Sequence, residues 1–405
     1  SAPVLDLTAP RPSGLLAVDA SAGTGKTYAL VALAVRAIAV GEVTADRLLL
    51  VTFTRAAAAE LRDRLRTGLV AAAAGLAPDA ASGADAAVPA DAWVAALAAV
   101  PDAERAERAG RVRTALTAFD RATVTTLHGF CQTALGLAGL RTGTPPPRLV
   151  ADTRPIARSA LRDRLLARLL DPAAPPLAGD GAPDTVEGRL AAVLRAVLAA
   201  AGARPAPLGA ADPATAEATA AFVAGAVEEF RRRLRADGAS GFDDLVLDLH
   251  ARLHAPGGDE VAAALRRQFR LVLVDEHQDT DAVQWAVLRR AFRADVGPAA
   301  PASDLVFVGD PKQSIYRFRG ADVGAYLAAR DEVDAVRVLD ESHRAAPDLV
   351  AALNVLLRGA DLGDGIAFTP VAAARGPVAG DRGAALELRW LAPGPDGYPA
   401  EWEGK

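Results

Sequence analysis

The chain has 405 residues, a formal net charge of −5, 51% hydrophobic and 23% charged residues, which is the make-up of a folded protein of two or three domains and excludes wholesale disorder. Its single cysteine excludes a disulfide framework, a zinc ribbon or a cysteine-ligated iron–sulfur cluster built by this chain alone, and fits a reducing, cytoplasmic setting. Apolar runs such as Leu48–Val51 are too short to cross a bilayer, and a net-acidic chain can meet nucleic acid only through a local basic patch.

In chain order, Leu15–Asp19 reads as a buried strand, Ala20–Thr27 as a glycine-containing turn, and Tyr28–Val40 as a helix by its apolar spacing. Leu48–Phe53 is a second strand, after which Thr54 caps a helix over Arg55–Ala73. From Gly75 the sequence is Ala/Gly/Asp/Pro-rich, which predicts a surface insertion to about residue 112 with a short helix around Trp93. Thr123–Leu127 is strand-like, and a helix starts at His128. Between Arg154 and Leu253 long Ala/Leu/Arg helices alternate with Pro/Gly-rich links and no strand is evident. Strands Leu271–Val274, Leu305–Val308 and Ala335–Leu339 then follow, each with a loop and a helix behind it, and Ala385–Leu391 is strand-like within a Pro/Gly-rich tail. The strand–loop–helix–strand order predicts an α/β fold with a parallel sheet and helices on both faces. The core spans 1–150 and 256–375, the helical insertion 151–255, and the tail 376–405.

The residue types that composition has nearly drained mark where chemistry lies. Lysine occurs only at Lys26, Lys312 and Lys405, and glutamine at only five positions, two of them Gln278 and Gln313. Ala20-Ser21-Ala22-Gly23-Thr24-Gly25-Lys26-Thr27 differs from the phosphate-loop rule G-x-x-x-x-G-K-[ST] only at Ala20. Gly23 and Gly25 let backbone N–H groups curl round phosphates, Lys26 can reach the β and γ phosphates, and the Thr27 hydroxyl can ligate Mg²⁺ at a helix N-terminus. The apolar Leu271–Val274 followed by Asp275-Glu276 places two carboxylates at the carboxyl edge of the sheet, one to hold Mg²⁺ and one to polarise the attacking water. Gly309 to Asp322 follows another apolar strand; Gln313 can contact a γ-phosphate, and Tyr316-Arg317-Phe318-Arg319 interleaves cations with aromatic faces as single-stranded nucleic acid requires.

DASAGTGKT, LLLVTFTRAAAAEL, VTTLHGFCQ, LVLVDEHQDTDAVQW and LVFVGDPKQSIYRFRGAD, in this order, resemble the UvrD/Rep helicases of superfamily 1 over about Leu5 to Val371. HGFCQ, DEHQDTD and the FRGAD ending resemble the family's RecB branch, the β subunits of exodeoxyribonuclease V. AddA, another UvrD-type helicase, and a nucleotide- or DNA-binding module without unwinding stay open as alternatives. The resemblance implies a P-loop NTPase (RecA-like) sheet interrupted by a helical insertion, with ATP and Mg²⁺ as cofactors. It also implies 3′→5′ translocation on single-stranded DNA from duplex DNA ends, RecC-like and RecD-like partner subunits, and a role in double-strand break repair and recombination. It further implies that the residues at hand are one half of a motor, since the second motor domain's motifs and a nuclease signature are not found in them.

Residue by residue, the resemblance puts Lys26, Thr27, Asp275, Glu276 and Gln313 in the ATP site, with Thr27 and Asp275 toward the metal, Arg344 toward the γ-phosphate, and Tyr28 and His343 toward adenine. It puts Thr52, Phe53, Thr54, Thr126, His128, Tyr316, Phe318 and Arg319 on DNA. Three features depart from the family pattern: Phe318 stands where many relatives have Trp; Ser342, His343 and Ala345 break an N-Y-R-S segment; and His277 replaces a more usual aromatic. Three further features read as structural: the His250/His254 pair lacks a third ligand, Cys131 reads as core, and the Glu228–Arg235 run reads as a solvated helix face.

Overall fold

The computed structural model describes residues 2–77, 91–142, 147–150, 152–177, 190–191, 193–194, 197, 213–242, 244–293, 302–314, 323–363, 366–376 and 386. Its strands in chain order are β1 (Leu15–Ala20), β2 (Leu48–Thr52), β3 (Thr123–Thr126), β4 (Arg148–Leu149), β5 (Ala239–Ser240), β6 (Leu271–Val274), β7 (Asp304–Gly309), β8 (Ala335–Leu339), β9 (Glu341–Ser342) and β10 (Ala372–Ala373). The helices are α1 (Lys26–Val40), α2 (Arg55–Gly75), α3 (Ala92–Ala98), α4 (Asp102–Thr117), α5 (Leu127–Thr142) and α6 (Arg154–Leu169). They continue as α7 (Pro213–Ala236), α8 (Asp244–His254), α9 (Gly258–Gln268), α10 (Ala282–Phe292), α11 (Val323–Asp331) and α12 (Pro347–Leu356).

Six strands form one parallel sheet in the order β3-β2-β6-β7-β1-β8. Its inner strands read as unbroken apolar runs because both faces are covered, and successive side chains feed opposite layers. Leu48 and Leu50 of β2, Leu271 and Leu273 of β6, and Val306 and Val308 of β7 pack into one core with α1, α2, α3 and α4. Their neighbours Leu49, Val51, Val272, Val274, Leu305 and Phe307 pack into the other, with α5, α8, α9, α10 and α11. A third, separate core joins α6 to α7 through Leu161, Val223, Phe230 and their neighbours. This is the expected α/β parallel sheet with a helical insertion. No helix among the described residues is long and apolar enough to cross a membrane.

The structure differs from the sequence-based expectation in four places. The stretch read as a surface insertion to about residue 112 contains α4, whose Ala109, Val112 and Ala115 are buried in the first core beside Trp93 and Leu97. Helix α1 begins at Lys26 rather than Tyr28, because Gly25 supplies the left-handed turn (φ 83°) from which the helix starts directly. Helix α8, read as part of the insertion, packs its Leu245, Val246, Leu249 and Leu253 under the sheet. The insertion is not free of strand either, since β5 pairs with β4 through Arg148–Ala239 and Leu149–Ser240. The strand-like Ala385–Leu391 lies, but for residue 386, outside the described residues.

Candidate nucleotide and nucleic-acid sites

Three loops leave the carboxyl ends of β1, β6 and β7 and meet above the sheet. Such a crevice at the strands' carboxyl ends is where open α/β sheets take ligands. The first loop is tightened by Thr24, whose Oγ1 donates to the Ser21 carbonyl at 2.8 Å. Gly23 and Gly25 have φ of 79° and 83°, left-handed values that a side chain would strain. Gly23 is constrained a second time: a Cβ there would sit 2.7 Å from Cβ of Arg344, because Ser342–Arg344 lies against the loop and His343 N–H donates to the Gly23 carbonyl at 2.8 Å.

The Lys26 ammonium sits among the partners the sequence names. It lies 2.9 Å from Oε2 of Glu276 and donates to Oε1 of Gln313 at 3.2 Å. Thr27 Oγ1 donates to Oδ2 of Asp275 at 3.3 Å. Gln278, one of the five glutamines, ties the second loop to the third. Its Nε2 donates to Glu276 Oε2 at 2.7 Å, its Oε1 accepts the Asp310 N–H at 3.0 Å, and its carbonyl accepts Ser314 Oγ at 3.1 Å. Asp310 in turn accepts Gln313 Nε2 at 2.7 Å and pairs with Lys312 at 2.9 Å. Glu276 is the one non-glycine residue among those described with positive φ (53°), so its carboxylate is held at some cost in backbone energy.

Electrostatics fit this crevice to a divalent cation. Asp275 is buried beside Glu276, and burial first, then the neighbouring charge, pushes its carboxyl up to about 6. Asp279 is pushed to about 6 by the same two causes, and its Oδ1 is buried without a partner. Lys26 is the ammonium paired with this carboxylate group, and a further cation there would relieve the repulsion. The glycine cradle and the Thr27 hydroxyl likewise suit a phosphate chain with its metal.

His277, in place of an aromatic, is fully buried against Phe307, Trp285 and Tyr326, with ring centroids 4.3, 5.2 and 5.8 Å away. Burial pulls its imidazole down to about 3, so it is neutral. Thr280 Oγ1 gives its proton to the His277 carbonyl at 2.7 Å, which leaves it to accept from Nδ1 at 3.1 Å and leaves Nε2 buried and unpartnered. Tyr28 and His343 flank Gly25: the Tyr28 Cβ and the His343 ring each lie 3.7 Å from where a Gly25 Cβ would stand. Burial and the neighbouring Asp91 carboxylate raise the Tyr28 hydroxyl to about 12.

A second cleft, of about 590 Å³, opens at the carboxyl ends of β2 and β3. Phe53, Thr126 and His128 line it, as do Arg55, Arg62 and Phe242. The Arg55 guanidinium stands 5.8 Å from the Phe242 ring centroid, a cation beside an aromatic face. Two of the expected contact residues, Thr52 and Thr54, are not among its lining residues. Thr52 is 2% exposed, and Thr54 Oγ1 accepts the Ala57 N–H at 3.1 Å as the cap of α2. Tyr316, Phe318 and Arg319 lie outside the described residues. Arg55 was legible as the residue after the T-F-T segment; Phe242 joins it from more than 180 residues away, a pairing that spacing does not reveal.

The three features read as structural are as follows. His254 Nδ1 bonds the His250 carbonyl at 2.8 Å, and no group of three or more His, Cys, Asp or Glu side chains placed to hold a metal ion is found among the described residues. Cys131 is buried, which pushes its thiol up to about 12. Arg231, Arg232 and Arg233 pair with Asp244, Glu229 and Asp163.

Comparison with known proteins gives the following. Residues 6–334 match the UvrD/REP helicase N-terminal domain. The chain is 38% identical over 363 residues to the RecBCD enzyme subunit RecB of Mycobacterium tuberculosis, covering 87% of this chain and 30% of that protein. It is 34% identical over 360 residues to RecB of Mycolicibacterium smegmatis, with the same two coverages. Against RecB of Escherichia coli the identity is 40% over 134 residues, 33% of this chain and 11% of that protein. The chain thus spans about 30% of the length of its mycobacterial relatives.

Proposed function

The chain belongs to the UvrD/REP helicase family, and from that membership we propose that it is the ATP-driven 3′→5′ DNA translocase portion of a RecB-like subunit, working on DNA ends in double-strand break repair. Residues 1–150 and 256–375 are the motor core and 151–255 the insertion, α8 excepted. RecC-like and RecD-like subunits are its partners, and the cytoplasm is its location.

The observation that carries this reading is the meeting of Lys26, Thr27, Asp275, Glu276 and Gln313, from three separate stretches of sequence, through contacts of 2.9 to 3.3 Å. A bound Mg–ATP supplies a phosphoryl group for transfer to water, the metal drawing charge from the phosphate oxygens. Thr27 and Asp275 would hold the metal, and Lys26 the phosphates, on leaving Glu276. Glu276, once free of that ammonium, orients the attacking water and accepts its proton. Arg344, whose side chain starts against Gly23, stabilises charge on the transferring group. Gln313 reports the phosphate's presence along its own turn, and Tyr28 and His343 take the base. Phe53, Thr126, His128, Tyr316, Phe318 and Arg319 serve as the DNA contacts by stacking and phosphate pairing.

The test is Lys26→Ala in the full-length protein, with ATP hydrolysis measured with and without single-stranded DNA. Loss of a preorganised charge at the reacting phosphates lowers turnover by about 10²–10³-fold. Undiminished turnover rejects the assignment of the phosphate loop. A wild-type protein that binds nucleotide without hydrolysis, with DNA or without, rejects the motor in favour of a binding module.

A further inference from the structure

Helix α2 begins at the mouth of the second cleft and runs back along β3, the edge strand of the sheet, toward the sheet's amino end. It carries four arginines, and they are held in two different ways. At 3.6 residues per turn, Arg55, Arg62 and Arg66 lie within an arc of about 40°, while Arg64 stands on the opposite side of the helix. Arg64 pairs with Glu60 at 2.5 Å. The three arginines of the stripe have no such partner. Arg55 and Arg66 have no carboxylate within 4 Å among the described residues, and Arg62 has only the solvent-exposed Asp120, 3.9 Å away and beyond hydrogen-bond distance.

Aromatic rings hold these three instead. Arg55 stands on Phe242 at the cleft. Arg62 and Arg66 stand 5.4 and 5.8 Å from the centroid of one ring, Phe119, which is buried in the first core within the turn Phe119–Arg121 just ahead of β3. A ring face steadies a guanidinium through its flat apolar side and leaves the N–H edges free to donate, whereas a carboxylate would use those donors up. Arg62 belongs to both places, since it lines the cleft and also stands on Phe119. The stripe is therefore continuous with the cleft, and it extends about 16 Å along the helix axis from Arg55 to Arg66. In a chain of net charge −5, guanidiniums aligned in this way with their donors unspent make a local basic track. Charge without base-reading groups is what holds a nucleic-acid backbone whatever its sequence.

We propose that single-stranded DNA continues beyond the cleft along α2, with Arg62 and Arg66 pairing successive phosphates and Phe119 holding both guanidiniums in place. This rests on the reading of the cleft as a DNA site, and adds to it a track on residues that lie outside the sequence motifs named above.

The test uses the full-length protein carrying Arg62→Gln together with Arg66→Gln, which keeps the side-chain stems on Phe119 and removes the charges. Arg64→Gln is the control, removing a like charge from the other side of the same helix. Affinity for oligo(dT) is measured by fluorescence anisotropy over a series of lengths and over salt from about 0.05 to 1 M. Each single-strand phosphate that loses its cation flattens the plot of log affinity against log salt by about 0.7. The paired variant is therefore expected to show a slope shallower by about 1.4, a loss of about 25-fold at 0.1 M salt that fades toward 1 M, and a length plateau reached about two nucleotides sooner. Arg64→Gln is expected to keep the wild-type slope and plateau. A wild-type slope and plateau in the paired variant overturn the proposal. So does an equal flattening in Arg64→Gln, which marks the general field of the protein and not a track. Unchanged oligo(dT) binding with loss of a co-purifying subunit also overturns it, since the arginines then face an acidic protein surface. A wild-type protein without measurable affinity for oligo(dT) refutes the reading of the cleft itself, a result reached before any variant is made.

Discussion

Glycine-to-alanine substitution adds the same methyl group everywhere, so two glycines of this chain make a matched test of how the site is packed. At Gly309 the methyl would stand 2.6 Å from Tyr326 Cε2, 3.0 Å from Gln278 Oε1 and 3.2 Å from the Gln278 nitrogen. Neither neighbour can retreat: Tyr326 is fully buried with its hydroxyl on Asp19, and Gln278 is 2% exposed with both ends of its amide bonded. Overpacking of this kind costs about 1–3 kcal/mol. Displacing the Gln278 amide from the Asp310 N–H adds about 1 kcal/mol. At Gly110, inside α4, the methyl meets nothing within 4 Å, so the helix gains about 0.5–1 kcal/mol. Hydrogen exchange of the full-length protein, read by peptide, separates the two. Gly309→Ala is expected to speed exchange over β6 and β7 by about 30- to 1,000-fold, and Gly110→Ala to slow it over α4 by about two- to fivefold. A Gly309→Ala protein whose β6 and β7 amides exchange at the wild-type rate refutes the packing argument.

Three more outcomes follow from the buried groups. Asp275 is raised from 3.8 to about 6, so the folded chain holds a proton that the unfolded chain has released; the associated stability is full below pH 3.8 and lost as pH rises through 6. The metal-binding form is the ionised one, so the Mg²⁺-dependent part of nucleotide affinity, measured with a fluorescent ATP analogue, should fall as pH drops from 7 toward 5.5, while affinity in EDTA changes little. His277 is lowered from 6.5 to about 3, so its contribution is present above pH 6.5 and lost on acidification. His277→Phe, which replaces a bare buried nitrogen with a ring among Trp285, Phe307 and Tyr326, is expected to match or exceed wild-type stability by up to about 1 kcal/mol and to flatten the acid limb in urea titrations. Cys131, held up to about 12 by burial, should resist an aromatic disulfide reagent in the native protein and react fully in denaturant; rapid native labelling would contradict its place in the core.

The sheet was legible because its strands are short, apolar and bounded by loops carrying rare residues. Lys26, Asp275 and Gln313 could be placed at strand ends from such runs alone. Helix α4 was not legible because its buried stripe is narrow: Ala109, Val112 and Ala115 are outnumbered by charged residues paired along the exposed side, such as Glu104–Arg108 and Glu107–Arg111. Helix α8 was misassigned because its amphipathic pattern tells that one face is buried but not against which neighbour. Asp19 and Gly309 stand at the edges of motifs, but nothing in the sequence ties either of them to Tyr326. Each is ordinary in its local stretch, and its meaning comes from a contact across up to 307 positions of chain.

The order of strands also governs when the protein can fold. Strand β1 is made before the other strands of the sheet, yet its ladder neighbours there, among the described residues, are β7 and β8, which lie some 290 to 320 residues further on. At ribosomal speeds of about 5–20 residues per second, that leaves a nascent apolar strand waiting roughly 15–60 s for a mate. Meanwhile β2 and β3 can pair with each other, and β6 can join them on arrival. The half of the sheet that carries the glycine-rich loop is thus assembled last, and chaperone dependence should concentrate on residues 15–40 rather than on the helical insertion.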